Sequence, residues 1–431
     1  MKKLTEFVSE HISSDISRLV MNKTKWPDID MSLAVACIES RRKLKGKIQE
    51  WYDNPDLIFP LKISAEQCSS SATAAYKAGL AERIVCEDES RKWKLADLTG
   101  GLGVDSWFFS KLASKVLYNE MRKPLCDAAA HNFKALTADN IRISNNMIVP
   151  EGIEIADPAL TGSEKEGSAA TPAELLSEFR PDIVYMDPAR RGEGGKKVFL
   201  IEECTPDVLT LKNEIFRICR HMLIKLSPMA DISMACNRLG KTCREVHVVA
   251  SGGECKELLI WMDREWNDEY TTVAVELNND GKSSEFRFKP SEEASARPLK
   301  AGSEDAYQPG MILFEPGKSL MKSGAFNLIS EKFSIVKLGT STHYYIAGAE
   351  LSDTIHKHGK TFTIKEVHPL DKRSIKNMGK AYPKAEVTAR NIPMDTDTLR
   401  KKLGVTSGDD AHIFGLKSDS LGNLLIITER C

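Results

Sequence analysis

The chain has 431 residues, 42% of them hydrophobic, and its 60 basic residues nearly balance its 61 acidic ones. This length and composition predict a globular protein of about two to four domains. The near-neutral charge excludes a general attraction to nucleic acid, so any such contact must come from local basic clusters. Because the N-terminus is charged and polar and no run of about 18 apolar residues occurs, we expect a cytoplasmic protein that does not enter membranes.

The ten cysteines of the chain are scattered and include no C-x-x-C pair. This distribution indicates reduced thiols, and it excludes a zinc knuckle and a disulfide framework. The nine histidines also lack the spacing of metal ligands. We therefore expect no metal site.

Residues 1–80 have the period of amphipathic helices, with apolar residues such as Ile12 and Ile16 four positions apart. The region is predicted to be entirely α-helical. A serine-rich segment at 67–74 follows it and indicates the N-cap of a helix that leads into the next domain. A helix cap is favoured there over a ligand contact.

Beyond Lys94, predicted strands alternate with helices. The first strand ends at Asp97, and the others cover 116–120, 152–156, 183–186 and 221–225, with a helix at 123–137. Apolar runs without clean alternation are typical of parallel strands that are buried on both faces. The sequence therefore predicts a doubly wound α/β sheet.

Two further strands, at 244–250 and 257–263, are separated by a short connection. A connection of this length permits only an antiparallel hairpin, so the last strand runs against an otherwise parallel sheet. Dinucleotide-binding Rossmann domains lack such a strand. The seven-stranded sheet of S-adenosylmethionine-dependent methyltransferases resembles this arrangement closely.

The remainder of the chain divides into three parts. Residues 278–306 are polar and are predicted to form a linker. Residues 307–380 indicate a small α+β domain that includes a helix at 322–333. Residues 381–431 indicate a strand, a helix and two further strands.

A glycine-rich turn follows the first strand and leads into a helix. At Gly100, Gly101 and Gly103 we expect positive φ angles, and the missing Cβ atoms would let a nucleotide-like ligand approach. Asp97 is expected to reach donors on that ligand. A P-loop is excluded because no Gly-Lys-Ser/Thr follows the turn, while NAD, FAD, phosphate and S-adenosylmethionine all remain possible ligands of such a turn.

The fourth strand ends in Asp187 and Pro188. In an open α/β sheet ligands bind beyond the carboxyl ends of the strands, so the ends of strands one and four face one crevice. The Asp187 carboxylate and the Pro188 carbonyl group are suited to accept hydrogen bonds from an amino group. The two motifs together predict a nucleoside-binding site with an acceptor next to it.

These motifs resemble class I methyltransferases that carry Asp-Pro-Pro-Tyr or Asp-Pro-Pro-Arg at this place and act on nucleic-acid bases. Ala189 replaces the second proline, and Arg190 resembles the arginine of RNA uridine C5-methyltransferases. Those enzymes use a cysteine just after the fifth strand, where this chain has Lys225-Leu226-Ser227. The resemblance therefore favours a noncovalent transfer to nitrogen, with Cys204 left open as an alternative nucleophile.

The resemblance implies S-adenosylmethionine as the cofactor. Glu120 matches the acid that accepts hydrogen bonds from the ribose hydroxyls, and Asp157 matches the acid at the adenine edge. The implied catalytic residues are Asp187, Pro188 and Arg190. The implied cofactor-binding residues are Asp97, Thr99, Gly100, Gly101, Gly103, Asp105, Glu120 and Asp157.

Over most of its length the chain resembles bacterial class I methyltransferases that have a helical N-terminal region and a C-terminal THUMP-like domain. Motifs outside the catalytic region, such as Glu315-Pro316-Gly317 and the segment 386–391, also carry this resemblance. It implies a Rossmann-like class I methyltransferase domain whose seven-stranded sheet has an antiparallel last strand. The implied division is a helical region at 1–80, the methyltransferase domain at 81–277, the linker at 278–306, a ferredoxin-like α+β domain at 307–380 and a THUMP-like domain at 381–431.

The resemblance implies methyl transfer to a base of tRNA or rRNA. A basic cluster near the last predicted boundary is suited to contact RNA, with Tyr382 placed to stack on a base; its members are Lys372, Arg373, Lys376, Lys380 and Lys384. Two alternatives remain: a non-catalytic RNA-binding protein of the same fold, and a methyltransferase for a protein or a small molecule. Nothing in the sequence predicts the oligomeric state.

Overall fold

The computed structural model describes residues 2–86, 92–152, 167–190, 201–278, 282–300 and 307–430. The chain forms two compact units. The first contains Met1–Val246 and Lys256–Asp268, and the second contains His247–Cys255 and Glu269–Cys431. Within the described ranges, no helix is long and apolar enough to cross a membrane.

The first unit begins with six helices, as the sequence predicts. A buried apolar cluster that includes Phe7, Val8 and Ile38 holds the first three together. Ser70 caps the sixth helix in a reciprocal capping box with Thr73, so the helix-cap interpretation is confirmed. The helices are α1 (Lys2–Glu10), α2 (Ile16–Met21), α3 (Met31–Leu44), α4 (Gln49–Asp53), α5 (Lys62–Gln67) and α6 (Ser71–Val85).

Strands and helices then alternate to the end of the first unit. In chain order they are β1 (Lys94–Asp97), α7 (Val104–Ser110), β2 (Lys115–Asn119), α8 (Lys123–Ala135), β3 (Ile141–Ser144), β4 (Asn146–Ile148), β5 (Ser168–Ala170), α9 (Pro172–Leu176), β6 (Ile183–Met186), β7 (Ala189–Arg190), β8 (Cys204–Thr205), α10 (Val208–Ile218), β9 (His221–Leu226), α11 (Ile232–Leu239), β10 (Cys243–Ser251) and β11 (Glu254–Asp263). The tip of the β10–β11 hairpin, His247–Cys255, is counted with the second unit.

The main sheet has nine strands, and the seven of them introduced above have the order β10-β11-β9-β6-β1-β2-β3. The pairs β1–β2, β1–β6, β2–β3 and β6–β9 are parallel, whereas β11 is antiparallel to β9. These seven strands match the predicted Rossmann-like arrangement with a reversed last strand, which is therefore confirmed. This order places the carboxyl ends of β1 and β6 side by side at the point where the order reverses, which is where such sheets bind ligands.

The third strand of the sheet differs from its prediction. The strand beside β2 is β3, at Ile141–Ser144, whereas the strand predicted at 152–156 falls almost entirely outside the described residues. β3 is an edge strand of half-exposed residues and lacks the apolar run that marks the central strands. For that reason its signal in the sequence is weak.

The second unit begins with an antiparallel pair of strands, and most of its remaining strands form a second sheet. The elements are β12 (Thr271–Leu277), β13 (Ser283–Phe288), α12 (Pro290–Ser295), β14 (Leu299–Lys300), β15 (Ile312–Pro316), α13 (Lys318–Ser323), α14 (Leu328–Phe333), β16 (Val336–Lys337), β17 (Tyr345–Ala347), α15 (Ser352–His356), β18 (Gly359–Pro369), α16 (Lys372–Ala381), β19 (Lys384–Arg390), α17 (Thr396–Leu403), β20 (Thr406–Ser418) and β21 (Gly422–Arg430).

Eight of these strands form one sheet in the order β14-β16-β17-β15-β18-β21-β20-β19. The long strand β18 pairs with β15 on one side and with β21 on the other. The regions 307–380 and 381–431, predicted as separate domains, therefore share one sheet, and the structure does not divide them at 380. α16 and α17 pack together on β19 and β20 around a core that includes Ile375 and Leu399.

The predicted linker at 278–306 is wrong for its described part, because 283–300 contains β13, α12 and β14. The side chains of Phe286 and Phe288 are buried in the core of this unit, and the exposed Arg287 lies between them. In the sequence, the alternation of apolar and polar residues over these three positions is too short to stand out from the polar residues on either side of it. The helix predicted at 322–333 is likewise two helices, interrupted at Gly324, which has a φ of +83°.

Candidate functional site

A cleft of about 880 Å³ lies at the carboxyl ends of the parallel strands in the first unit. Eight of the eleven residues predicted for the site line it: Asp97, Thr99, Gly100, Gly101, Asp105, Glu120, Asp187 and Pro188. Gly103 lies in the turn just behind them. The side chain of Arg190 and all of Asp157 fall outside the described residues.

The three glycines of the turn have different reasons to be glycine. Gly101 has a φ of +54° and lines the cleft, and a Cβ atom there would lie 3.8 Å from the Thr99 carbonyl oxygen, an ordinary van der Waals contact. Gly100 does not have a positive φ, which corrects the prediction, and its missing Cβ makes room for the ring of Tyr118. Gly103 has a φ of +89°, and a Cβ atom would come within 2.7 Å of Phe133. Of the three, Gly101 combines a positive φ with a place in the lining of the cleft.

Asp97 fixes the turn from inside. Its carboxylate accepts hydrogen bonds from the Thr99 backbone N–H at 3.0 Å and from the Ser106 hydroxyl at 2.6 Å. Burial raises the pKa of Asp97 to about 7, although both hydrogen bonds oppose the rise. The Thr99 hydroxyl in turn accepts the backbone N–H of Asp187 at 2.6 Å, so one chain of bonds joins the ends of β1 and β6.

Glu120 connects the end of β2 to the same turn. One carboxylate oxygen accepts the Gly101 backbone N–H at 2.9 Å. The other accepts the backbone N–H and the Nε of Arg122, at 2.9 Å and 3.1 Å. The side chain is 7% exposed and borders the cleft. A carboxylate held in this way can accept further hydrogen bonds from hydroxyl groups of a ligand.

A buried ionic cluster, formed by Lys77, Asp105 and Glu257, supports the cleft and was not predicted from the sequence. The Lys77 ammonium lies 3.0 Å from Glu257 and 3.1 Å from Asp105, and it donates to the Ser69 hydroxyl at 2.6 Å. Asp105 also accepts a hydrogen bond from the Tyr185 hydroxyl at 2.8 Å. The Lys77 side chain has no exposed surface.

Burial acts in the same direction on the two acids of this cluster, but their net pKa shifts are opposite. It raises the pKa of Glu257 even though the charges of Lys77 and Lys225 oppose the rise. For Asp105, burial acts in the same direction, but the two lysines and its hydrogen bonds outweigh it, so its pKa is lowered. The sequence contains one indication that Lys77 is buried. Its position in α6 places it on the same helix face as the buried Ala74 and Ala81.

Asp187 forms an ion pair that the sequence analysis also missed. The ammonium of Lys225, at the end of β9, lies 2.5 Å from one carboxylate oxygen of Asp187. Burial alone would lower the pKa of Lys225, but the carboxylates of Asp187, Glu257 and Asp105 raise it above its ordinary value. In the sequence, Lys225 belongs to a segment that carries the family resemblance and stands where a uridine C5-methyltransferase has a cysteine, but no role was predicted for its side chain.

The strands β7 and β8 form a short antiparallel pair beside this ion pair, with Arg190 opposite Cys204. The pairing brings Cys204, which is buried, to the wall of the cleft. The thiol left open as an alternative nucleophile is thus in the same cleft as Asp187. Among the described residues, no group of His, Cys, Asp and Glu could hold a metal ion, and the described cysteines are free thiols.

The predicted basic cluster lies largely on α16 in the second unit. Lys372, Arg373, Lys376 and Lys380 are exposed, whereas Ile375 and Gly379 face inward. Gly379 has no room for a Cβ atom because the backbone of Leu403 in α17 contacts it, so the two helices approach closely. α17 adds Lys401 and Lys402 to the exposed surface, and we call these six side chains the α16–α17 basic surface.

Tyr382 is not free to stack on a base as the sequence analysis expected. Its hydroxyl donates to Glu366 at 2.7 Å, which raises the pKa of Tyr382 to about 12, and its ring packs against the core under α16 and α17. The ring therefore has a structural role.

The chain is similar to two known domain families and to solved structures. A family model described as THUMP domain-like matches residues 359–430, and one described as a ferredoxin-like domain matches 313–353. The crystal structure of a candidate methyltransferase from Porphyromonas gingivalis W83 is 26% identical and has a TM-score of 0.81, covering 100% of this chain and 98% of that one. No curated protein matches the chain.

More distant structures are also similar. The human methyltransferase 10 domain containing protein is 12% identical over 54% of this chain and 96% of its own, with a TM-score of 0.32. An rRNA methylase from Streptococcus thermophilus is 12% identical over 44% of this chain and 94% of its own, with a TM-score of 0.28. The full-length match and the strand order confirm the predicted resemblance and fold class: a Rossmann-like class I methyltransferase domain with further α+β structure, THUMP-like at its end.

Proposed function

We propose that this chain is a cytoplasmic S-adenosylmethionine-dependent methyltransferase that modifies a base of tRNA or rRNA without a covalent enzyme–base intermediate. The observation that carries the proposal is the joint placement of Gly101, Glu120 and Asp187 around one cleft. The first two suit a nucleoside cofactor, and the third stands at the end of β6 where an acceptor base would enter. The methyltransferase fold supports the same interpretation but does not itself fix a substrate.

The residues of the cleft fit the proposed cofactor. Its volume of about 880 Å³ suffices for a nucleoside with an amino-acid side chain. Glu120 would accept hydrogen bonds from the ribose hydroxyls, and the open side of Gly101 would lie against the ligand. The acidic lining, which includes Asp105 and Glu120, favours a cation such as a sulfonium. When bound, S-adenosylmethionine supplies an electrophilic methyl group.

The chain itself has mainly to position the acceptor. Asp187 is held by the Thr99 hydroxyl through its backbone and by Lys225 through its side chain, so its direction is fixed. A lone pair held in line with a methyl group needs little other assistance, and positioning of this kind can supply about 7–11 kcal/mol of a reaction barrier. Catalysis by positioning agrees with a noncovalent mechanism.

Two observations support RNA as the substrate class. The THUMP domain-like family model matches 359–430, and this region carries the α16–α17 basic surface. Six exposed cations on two packed helices form the kind of local basic patch that a near-neutral protein needs to bind phosphates. A protein or small-molecule substrate would leave this surface without a role.

The test combines binding with turnover. We expect calorimetry to show that the full chain binds S-adenosylmethionine and not NAD, and we expect tritium from the labelled methyl group to enter RNA. Asp187→Ala should keep cofactor affinity and lower turnover about 10²–10³-fold, as when one preorganised polar group is lost. The exposed Asp139 of the same unit provides the control, because Asp139→Ala should change neither quantity.

Three results would count against the proposal. Absence of cofactor binding would refute it entirely. Binding of the cofactor and of RNA without transfer would identify a non-catalytic RNA-binding protein instead. Full turnover in Asp187→Ala would remove Asp187 from the acceptor site.

A further inference from the structure

The ion pair of Asp187 and Lys225 presents two kinds of hydrogen-bonding group to the cleft. One Asp187 oxygen is taken by Lys225, and among the described residues no donor contacts the other oxygen. The Lys225 ammonium has three N–H donors, and only one is used by Asp187. Both residues line the cleft, and the Asp187 side chain is 38% exposed. An acceptor and a donor therefore lie next to each other at the end of β6.

From this juxtaposition we infer that the methylated group is a lactam edge of a base, in which a ring N–H adjoins a carbonyl, as at N1 and O6 of guanine or N3 and O4 of uracil. Asp187 accepts the ring N–H, and Lys225 donates to the carbonyl oxygen. Lys225 is thus a further catalytic residue. The inference rests on the proposed RNA methyltransferase function and specifies its substrate.

The charge that develops on the base during methyl transfer distinguishes a lactam edge from an exocyclic amino group as the acceptor. An amino nitrogen that attacks a methyl group becomes more positive, and a neighbouring ammonium opposes that change. A lactam nitrogen that loses its proton leaves negative charge on the carbonyl oxygen, which the ammonium of Lys225 stabilises. A phosphate or carboxylate acceptor has no donor for Asp187, whose charge would repel it.

The proposed site provides for both the transfer of the methyl group and the release of the ring proton. The lactam nitrogen forms a bond to the methyl carbon, and the carbon–sulfur bond of the donor breaks with its electron pair remaining on sulfur. The ring N–H proton passes to the Asp187 carboxylate, which is exposed enough to release it to water. The Lys225 ammonium keeps its proton throughout, and its charge is balanced by Asp187, Glu257 and Asp105.

The first test identifies the product. The full chain is incubated with labelled S-adenosylmethionine and RNA from a strain that lacks the gene, and the labelled nucleoside is identified by mass spectrometry. We expect 1-methylguanosine or 3-methyluridine. Label in N6-methyladenosine or N2-methylguanosine would overturn the lactam inference alone. Label in a C5-methylated pyrimidine or a 2′-O-methylated ribose would also contradict the proposed noncovalent transfer to a base. No label in RNA would overturn the proposed function as well.

The second test measures binding without turnover. Guanosine and uridine 5′-monophosphate are compared by NMR titration with their N1-methyl and N3-methyl derivatives, which lack the ring N–H. We expect one parent nucleotide to bind about tenfold or more tightly than its methylated form. In Asp187→Ala this preference should vanish, because Asp187 is the group that accepts the ring N–H, and Lys225→Met should weaken the binding of both forms. A preference that persists in Asp187→Ala would overturn the assignment.

Variants of Lys225 separate a catalytic role from a structural one. Lys225→Met should lower turnover about 10²–10³-fold, and its residual activity should rise with pH as the lactam ionises without help. Lys225→Arg, which keeps a charged donor, should recover part of the rate. The control is Lys115→Met, an exposed lysine at the start of β2. Equal losses in the Met and Arg variants, with an unchanged pH profile, would show that Lys225 only supports the fold.

Discussion

The buried cluster of Lys77, Asp105 and Glu257 yields a prediction about stability. Lys77→Met removes a cation that has no exposed surface and leaves Glu257, which is 2% exposed, without its closest partner. Breaking a buried ion pair from one side typically costs about 3–5 kcal/mol, because the remaining charge has no compensation. We expect a loss of that size in the free energy of unfolding of the first unit near neutral pH.

The assay can follow the first unit by itself. All six tryptophans lie within it, so their fluorescence during urea unfolding reports on this unit: Trp26, Trp51, Trp93, Trp107, Trp261 and Trp266. The exposed Lys115 provides the matched control, and Lys115→Met should stay within about 0.5 kcal/mol of the parent. Because Glu257 is the partner left unpaired, the double variant Lys77→Met, Glu257→Gln should recover much of the loss.

The pH dependence of the loss tests its cause. Burial already raises the pKa of Glu257 in the folded parent, and removal of Lys77 takes away a charge that opposes the rise. A carboxyl whose folded pKa exceeds its unfolded value adds stability below the unfolded value, and this contribution is lost as the pH rises through the folded value. The deficit of Lys77→Met should therefore shrink as the pH falls. A loss below about 1 kcal/mol, typical of exposed ion pairs, or a deficit independent of pH would refute this reasoning.

Three further predictions concern the ligands. Glu120→Gln should weaken S-adenosylhomocysteine binding about tenfold or more in calorimetry, because charge-assisted hydrogen bonds to the ribose are lost; unchanged affinity would remove Glu120 from the cofactor site. The double variant Lys376→Glu, Lys380→Glu should weaken RNA binding and make it less dependent on salt, because each lost phosphate contact reduces the slope of log K against log salt concentration by about 0.9. An unaltered slope would show that the RNA binds elsewhere. Cys204→Ala should retain turnover, and RNA containing 5-fluorouridine should form no adduct with the parent; a trapped adduct would establish the covalent mechanism.

Those parts of the site that follow from single strands could be predicted from the sequence. Asp97 ends one buried apolar strand and Asp187 directly follows another, and the glycine-rich turn marks the change from strand to helix. Buried parallel strands appear in the sequence as continuous apolar runs, so the polar residue that follows each run marks the end of the strand. The edge strand β3 has no such run, and for that reason its position was missed.

Contacts between distant parts of the chain could not be predicted in this way. Lys77 and Glu257 are 180 positions apart, and Asp187 and Lys225 are 38 apart, so no local pattern connects them. Each charge taken alone resembles an ordinary exposed residue, and only the packing of α6, β9 and β11 shows that it is paired.

The glycine-rich turn was likewise only partly predictable from the sequence. Its position was predicted correctly, but the reason for Gly100 was not, because the Tyr118 ring that requires it comes from the next strand. A glycine pattern identifies a close approach without identifying what approaches. Here the missing Cβ atoms of Gly100 and Gly103 make room for aromatic rings of the chain, whereas Gly101 lines the cleft with no such ring against it.

The central claim, methylation of an RNA base by this chain, is tested most directly by mass spectrometry of the nucleosides of tRNA and rRNA from a strain that lacks the gene. We predict that one methylated nucleoside is missing, that the intact gene restores it, and that a gene encoding Asp187→Ala does not. Identical modified nucleosides in the parent and deletion strains would contradict the claim.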